Sequence, residues 1–303
     1  MNPGYFNTPD GSRIFYQTNF TKGTNPELPL LVFNYGLVCN FEHWKHQVPF
    51  FDDLGFPILM HHYRGHFSSS GNDNIEKIKF ETMANDLNGL IHHLEIKTPI
   101  IMFGHSMGVN VTLEYAKLFE LSKMILISGT VLPPQDVMFG TNVMDLFLPV
   151  INNIKDKFPH FFQQSWETSF LNPIFKEIVF RGGFNIQKTS REFVEIYLKR
   201  IGQLKPELFM QLMKEMHDHD IIAHLEKIKT QALIISGDKD KIIPHHLQLI
   251  LKKYLKNSEY YVMKDGSHVP QIDFPDTLNE RMKIFIQDPF LFLWPKTDDS
   301  TQL

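Results

Sequence analysis

The sequence predicts an α/β fold in which a doubly wound, mostly parallel sheet is interrupted by a helical insertion. Short apolar runs that suit buried strands alternate with stretches whose apolar residues recur three and four positions apart, as in helices. From about residue 131 to residue 224 only the helical spacing is found, and strand patterns return afterwards. A strand, a tight turn and a helix follow each other around residues 104–108, which read Gly-His-Ser-Met-Gly.

The predicted strands are short and mostly apolar, and several are bounded by residues that favour turns. An alternating strand over Ser12–Thr18 follows the turn signal Thr8-Pro9-Asp10-Gly11. Further predicted strands are Leu28–Asn34, Phe56–Met60, the apolar run that begins at Pro99, Lys123–Ser128, Gln231–Ser236 and Ser258–Met263. Helices are predicted over Phe41–Phe51 and Phe80–Leu94, after Ser106, and after each of the last two strands.

The composition is that of an ordinary globular protein and argues against several classes of function. The chain has 303 residues, of which 43% are hydrophobic and 21% are charged, so it can bury a large core. A formal net charge of −4 gives no reason to expect a nucleic acid or an anionic membrane as a partner. The single cysteine, Cys39, allows neither an intrachain disulfide nor a thiolate metal site.

Apolar stretches in the sequence are too short to predict a membrane span, which needs about 18 apolar residues in a row. The residues Met1–Tyr5 have neither the basic nor the apolar stretch of a signal peptide, so we expect a cytoplasmic protein. The apolar pentamer Phe290–Trp294 is expected to dock on the core, and a contact surface for a partner is the alternative.

Ser106 lies where a serine can become a nucleophile. A serine on a sharp strand-to-helix turn points its hydroxyl out of the top of a sheet, and the G-x-S-x-G spacing is typical of such a turn. Glycines at positions 104 and 108 allow the neighbouring chain to approach closely, and the helix directs its positive end at the same point. The alternative, a glycine-rich turn with an incidental serine, does not account for the flanking strand and helix.

A serine hydroxyl needs a base that takes its proton, which is usually a histidine held in the correct tautomer by a carboxylate. Fifteen histidines are present, so only position can discriminate between them. Reactive groups gather at the carboxyl ends of parallel strands, and Asp240 and His268 each lie just beyond a predicted strand. The chain order Ser106, Asp240, His268 is the order expected when a serine of this turn type heads the triad.

On these motifs the chain resembles serine hydrolases of the α/β-hydrolase fold superfamily, in particular the esterase-like group with a helical cap after the sixth strand. The resemblance implies an eight-stranded sheet, with a first core part at 1–130, a cap at 131–224 and a second core part at 225–303. It implies Ser106 as nucleophile and His268 as base. It selects Asp240 as the acid, because Asp240 stands three residues before the Ile-Pro pair that ends the acid loop of this family.

The resemblance also implies two backbone donors for the oxyanion of a tetrahedral intermediate. One is the N–H of Met107 at the start of the helix after Ser106. The other is the N–H of Leu37, because Gly36 matches the glycine of the family's His-Gly-x loop. Tyr35, or Asn34 if the match shifts by one residue, stands where that loop usually has histidine, which leaves the detailed shape of the loop open.

Several remaining side chains are expected to be structural. The loop from His62 to Ser69 departs from the family's Asp-x-Arg-Gly-His-Gly-x-Ser pattern and is predicted to support the fold. His61, His62 and His66 could be nominated as metal ligands, but no carboxylate is spaced with them. Neither a metal site nor a cofactor site is predicted.

The resemblance implies hydrolysis of an ester through an acyl-enzyme on Ser106, with a small molecule as substrate. Cleavage of carbon–carbon bonds, lactones or peptides and perhydrolase activity use the same triad and stay open. A non-catalytic binding protein of the same fold is a second class, but such relatives usually lack a triad member and none is missing here. The sequence fixes neither the acyl group nor the oligomeric state.

The predicted cap contains 11 of the chain's 27 phenylalanines. Most of its Phe and Met residues must bind the cap helices to each other and to the core. Because a cap lies above the strand ends, we expect some of these residues to line the cleft over Ser106. The expected substrate therefore carries a small-to-medium apolar acyl or alcohol group. The residues considered are Met138, Phe139, Met144, Phe147, Phe161, Phe162, Phe209, Met210, Met213 and Met216.

Overall fold

The computed structural model describes residues 1–21, 27–70, 75–133 and 153–287. Four of the cap residues considered above, Met138, Phe139, Met144 and Phe147, lie outside the described residues. The tail segment Phe290–Trp294 also lies outside them.

The core is one eight-stranded sheet with the strand order β1-β2-β4-β3-β5-β6-β7-β8. Pairing from β4 to β8 is parallel throughout, whereas β2 pairs antiparallel with both β1 and β4. The predicted doubly wound, mostly parallel sheet of eight strands is therefore confirmed. The strands are β1 Asn2–Asn7, β2 Arg13–Thr18, β3 Leu30–Asn34, β4 Ile58–His61, β5 Ile100–His105, β6 Lys123–Ile127, β7 Gln231–Gly237 and β8 Ser258–Met263.

Strand β1 is one element that the sequence pattern does not predict. Its residues Pro3 and Gly4 have low β-propensity and interrupt the alternating pattern, so only Tyr5 and the residue after it favour a strand locally. It forms at the edge of the sheet, where Tyr5 pairs with Phe15 and its ring lies under the Arg13 guanidinium, 3.6 Å from the ring centre. An edge position tolerates such residues because one side of the strand needs no partner.

Helices cover both faces of the sheet, and several helices follow one another between β6 and β7 in chain order. Among the described residues no strand lies between β6 and β7, while the exact cap bounds 131–224 stay a prediction. The helices are α1 Gln47–Asp53, α2 Phe80–His93, α3 Met107–Leu118, α4 Pro159–Glu167, α5 Pro173–Gly183, α6 Arg191–Gln203, α7 Pro206–Asp218, α8 Ile222–Leu225, α9 His245–Tyr254, α10 Pro270–Asp273 and α11 Pro275–Gln287. We call α4 to α7 the cap helices. No described helix has the length and apolarity that crossing a bilayer requires.

Two apolar layers hold the sheet between its helices. Successive side chains of a strand point to opposite faces, so Val32 faces one layer while Leu31 and Phe33 face the other. The first layer also contains Leu87 of α2 and Leu113 of α3. Both faces of the central strands are covered, which explains why these strands read as continuous apolar runs.

Lys123 is a fully buried lysine at the start of the central strand β6. Its ammonium donates to the carbonyl oxygens of Phe285 at 2.7 Å and Ile286 at 3.1 Å, at the end of α11. A cation at a helix C-terminus offsets the partial negative charge of the last carbonyl groups. Lys123 therefore ties the last described helix to the middle of the sheet.

Helix α3 passes very close to the end of strand β3. A Cβ atom placed on Gly108 would lie 2.3 Å from the carbonyl oxygen of Asn34, and one placed on Gly104 would lie 2.7 Å from the carbonyl oxygen of Gly108. Backbone atoms cannot move aside as a flexible side chain can. Only glycine therefore fits at positions 104 and 108 without displacing the helix.

We predict that Gly108→Ala destabilises the protein by about 3 kcal/mol or more, because the added methyl group overpacks against backbone. Gly183→Ala is the matched control, since its Cβ would have the Ile242 side chain as nearest neighbour at 3.8 Å. The control is expected to be neutral or to stabilise the protein by up to about 1 kcal/mol. Urea unfolding measures both changes, and equal midpoints for Gly108→Ala and the wild type would contradict the prediction.

Candidate active site

Ser106 occupies a strained turn between β5 and α3. Its backbone has φ 53° and ψ −122°, a combination that costs a non-glycine residue about 1–3 kcal/mol. The turn is fixed on both sides, because the Ser106 amide donates to the Ile127 carbonyl and the Val109 amide donates to the Ser106 carbonyl, both at 2.9 Å. Ser106 is only 8% exposed.

Three predicted site residues from distant parts of the chain lie together. His268, in the loop after β8, has its Nε2 3.0 Å from Ser106 Oγ and its Nδ1 3.0 Å from Asp240 Oδ2. The side chain of Asp240 is fully buried, whereas Asp238 is exposed in the same loop. Asp240, and not Asp238, is thus the carboxylate within reach of His268.

The Asp240 carboxylate is held in one orientation by several donors. Its Oδ1 accepts from the amides of Ile242 and Ile243, both at 2.9 Å. Its Oδ2 accepts from Gln248 Nε2 at 3.3 Å in addition to the histidine. A carboxylate accepts only, so the His268 Nδ1 carries the proton and the Nε2 lone pair faces the Ser106 hydroxyl. This arrangement can take the serine proton as a general base does.

The two amides expected as oxyanion donors belong to the residue after Ser106 and to the loop after β3. The loop after β3 packs against the serine, since a Cβ on Gly36 would lie 2.8 Å from Ser106 Cβ. Neither the Leu37 amide nor the Met107 amide has an acceptor among the described residues. Met107 is the first residue of α3, so its N–H belongs to the positive end of that helix.

Two tyrosines fix the loop after β3, whose shape the sequence leaves open. The Tyr63 hydroxyl donates to the Tyr35 carbonyl at 2.9 Å, and the Tyr35 hydroxyl accepts from the Tyr63 amide at 3.2 Å. The Tyr35 hydroxyl also lies 3.2 Å from His62 Nδ1. Burial raises the pKa of both phenols well above the ordinary value, so both stay neutral.

The imidazole of His105 contacts the backbone of the loop that carries His268. Its Nε2 is 2.9 Å from the His268 carbonyl oxygen, which only accepts, so Nε2 is the donor. Burial lowers the pKa of His105 well below the ordinary value, and the ring stays neutral. His105 and His268 are 163 residues apart in sequence, so no local pattern identifies this contact.

Other histidines around the site are buried and neutral. Burial lowers the pKa of His43, His61 and His62 to about 3 and that of His66 to about 4. In the part of the chain that the structure describes, no three His, Cys, Asp or Glu side chains are grouped as metal ligands.

The loop from His62 to Ser69 is held by a buried ion pair. Arg64 donates to both carboxylate oxygens of Asp86, at 2.6 and 2.7 Å, and to Asp10 at 2.8 Å. Bidentate arginine–carboxylate pairs fix geometry as well as charge. The observed contacts are those of a supporting loop.

A further carboxylate near His268 is not predicted by the sequence. Asp273 Oδ2 accepts from the Ser267 amide at 2.8 Å and from the Ser267 hydroxyl at 2.6 Å. Its Oδ1 accepts from the Thr189 hydroxyl at 2.5 Å. Burial raises the pKa of Asp273. Thr189 is 84 residues away in sequence, so no local pattern could reveal the contact.

Apolar cap residues pack against the loops that surround the serine. One buried cluster joins Tyr35, Val38 and Met107 with side chains of the cap helices. The cap members include Phe184, Phe193, Val194, Leu198, Leu204, Leu208, Leu212 and Met216. Phe161 of α4 is 64% exposed and does not belong to this cluster.

Comparisons with known proteins agree with this architecture. The family model described as "alpha/beta hydrolase fold" matches residues 29–275. A bifunctional esterase/perhydrolase from Acinetobacter calcoaceticus is 24% identical over 302 residues, covering 94% of this chain and 99% of the relative.

Solved structures share the fold at lower sequence identity. An esterase from Exiguobacterium antarcticum aligns with a TM-score of 0.73 and 19% identity, covering 93% of this chain and 98% of the esterase. An enol-lactonase from Burkholderia xenovorans LB400 aligns with a TM-score of 0.74 and 19% identity, covering 93% of this chain and 99% of the lactonase.

The buried neutral histidines predict a loss of stability in mild acid. A histidine in the unfolded chain titrates near 6.5, above its folded pKa, so the unfolded state binds more protons below that pH. The contribution is complete above pH 6.5 and falls by about 1.4 kcal/mol per pH unit for each such histidine as the pH decreases towards 3–4. Urea unfolding at pH 7.5, 6.5 and 5.5 measures this slope.

His61→Leu is the diagnostic variant, because neither ring nitrogen of His61 has a partner among the described residues. The variant should flatten the pH dependence by about one proton. A free energy of unfolding that does not change between pH 7.5 and 5.5 would show that these histidines do not resist protonation.

Proposed function

This chain belongs to the α/β-hydrolase fold family, and on that basis we propose that it is a serine hydrolase that cleaves carboxylic esters through an acyl-enzyme on Ser106. Family membership and the similarity to a curated esterase/perhydrolase support hydrolase activity. The observation that carries the proposal is the pair of 3.0 Å contacts that link Ser106 Oγ to His268 and His268 to Asp240. A serine with this base and this orienting acid is the arrangement that activates a hydroxyl.

In the proposed reaction, Ser106 Oγ attacks the ester carbonyl while His268 Nε2 takes the hydroxyl proton. Asp240 stabilises the imidazolium and keeps Nδ1 protonated. The negative oxygen of the tetrahedral intermediate accepts from the amides of Leu37 and Met107. His268 then gives its proton to the leaving alcohol, and a water molecule, deprotonated by the same histidine, attacks the acyl-enzyme and releases the acid.

The substrate that we propose carries a small-to-medium apolar acyl or alcohol group. The support is the apolar cluster in which Phe193 and Leu198 of α6 meet Val38 and Met107 beside the serine. Ser106 and the His268 side chain are only 8% and 12% exposed, so a bound group leaves water as it approaches them. An apolar group gains free energy from that transfer, whereas a charged group loses hydration.

Perhydrolysis is the second candidate, because the relative from Acinetobacter, which is similar to this chain over nearly its full length, is a bifunctional esterase/perhydrolase. The same triad would form the same acyl-enzyme, and hydrogen peroxide would replace water in the second step. Lactone, peptide and carbon–carbon bond cleavage remain further uses of the triad. Ser106, His268 and Asp240 are all present and in contact, which argues against a non-catalytic binding protein.

Covalent labelling with a fluorophosphonate probe tests the proposed function. The wild type should be labelled at Ser106, because only an activated serine attacks the probe. Ser106→Ala should remove the label and lower turnover of an activated ester by roughly 10⁴-fold or more. Asp240→Asn should cost far more than the matched Asp238→Asn, since only Asp240 reaches His268. An unlabelled wild type that binds small molecules without turnover would identify a binding protein instead.

A homologous series of nitrophenyl esters tests the apolar pocket. We expect kcat/KM to rise by up to about fourfold for each added methylene, since each is worth up to ~0.8 kcal/mol of transfer free energy. The rise should stop where the pocket ends. The control is an ester of equal length that ends in a carboxylate, which should be the poorer substrate. Equal values from acetate upward, or a preference for the carboxylated ester, would show that the site is polar.

A further inference from the structure

The loop that carries His268 contacts the core on the side that faces the sheet. The Lys239 amide donates to the Gly266 carbonyl at 2.9 Å, and His105 Nε2 donates to the His268 carbonyl at 2.9 Å. A Cβ on Gly237 would lie 2.3 Å from the Ser267 carbonyl oxygen, so the end of β7 touches the loop directly. These contacts hold the loop against the sheet but leave its upper side to other elements.

The segment before cap helix α6 contacts the loop of His268 on the side that faces the cap. Asn185 Nδ2 donates to the Asp265 carbonyl at 2.7 Å, and Asp265 is one of the non-glycine residues with positive φ, at 60°. The Lys188 ammonium lies 5.6 Å from the ring centre of Phe274, which is the residue that follows Asp273 in the sequence. The cap therefore meets the chain on both sides of His268 in sequence.

The central contact of this set is the buried carboxylate of Asp273. One of its oxygens accepts two bonds from Ser267, the residue before His268, and the other accepts from the Thr189 hydroxyl. Thr189 is 4% exposed and Asp273 is 6% exposed, so water has little access to either. The three donors all serve one carboxylate, which makes it a bridge between the cap and the histidine loop.

Thr189 is itself fixed by the start of α6. The next residue, Ser190, caps the helix, and its hydroxyl accepts from the Phe193 amide at 3.2 Å. The inner face of the same helix packs through Phe193 and Leu198 into the apolar cluster beside the serine. The residues that lead into α6 thus contact the loop of His268, and α6 itself packs into the apolar cluster beside the serine.

We propose that the cap positions the proposed catalytic histidine. Thr189 and Asp273 are the positioning residues, and they hold the loop so that His268 stays within hydrogen-bonding distance of Ser106. The inference rests on the proposed role of His268 as general base. Removing the Thr189 hydroxyl leaves Asp273 Oδ1 buried without that donor. The carboxylate must then rotate or become protonated. Either change weakens the hydrogen bonds that Ser267 donates to Asp273. Small displacements of a general base lower the reaction rate, because proton transfer depends on distance.

Three variants separate positioning from simple support of the fold. Thr189→Val keeps the shape and removes the hydroxyl, Thr189→Ser keeps the hydroxyl and removes the methyl group, and Thr168→Val is the control. Thr168 directly follows α4, and its hydroxyl donates to the backbone carbonyl of Gln164 in that helix. We expect Thr189→Val to lower kcat by about tenfold with little change in KM. Thr189→Ser and Thr168→Val should keep the wild-type kcat.

Amide hydrogen exchange of the segment 264–269 gives a readout that does not require turnover. Thr189→Val should accelerate exchange of this segment, including the Ser267 amide, and the other two variants should not. If fluorophosphonate labelling fails but exchange changes as expected, the proposed hydrolase fails and the cap contact stands. Unchanged exchange and unchanged kcat in Thr189→Val would overturn the inference. Equal losses in Thr189→Val and Thr189→Ser would also overturn it, because the hydroxyl would then not matter.

Discussion

The approach of helix α3 to the carbonyl group of Asn34 is the contact on which the rest of the site depends. No side chain fits between them, since a Cβ on Gly108 would lie 2.3 Å from that oxygen. This closeness brings the turn at Ser106 against the loop at Gly36, where a Cβ would lie 2.8 Å from Ser106 Cβ. The proposed nucleophile and the two proposed oxyanion donors therefore owe their separation to backbone sterics, which are stiffer than any side-chain hydrogen bond.

Features that leave a local pattern in the sequence could be predicted. The parallel sheet follows from apolar runs that alternate with helical spacing, and the turn at Ser106 follows from its glycines together with the strand and helix around it. The resemblance selects Asp240 over Asp238, and in the structure Asp240 is the aspartate that contacts His268, although the catalytic roles remain a proposal.

Features that arise only from long-range contacts could not be predicted. Strand β1 contains Pro3 and Gly4 and becomes a strand only because β2 offers it an edge. The link from Thr189 to Asp273 joins two polar residues with no distinguishing neighbours. Phe161 shows a related limit, because helical spacing tells which residues share a face but not whether another element covers that face.

The backbone conformation of Ser106 sets the stability of the fold against the nucleophilic role that we propose for this residue. With φ at 53° the residue costs the folded state about 1–3 kcal/mol, and glycine at this position would avoid the cost. The unfolded chain carries no such strain, so the penalty falls entirely on the native state. On the role that we propose for Ser106, the strain accompanies a hydroxyl that glycine lacks, so a single replacement could make the fold more stable only by giving up the proposed nucleophile.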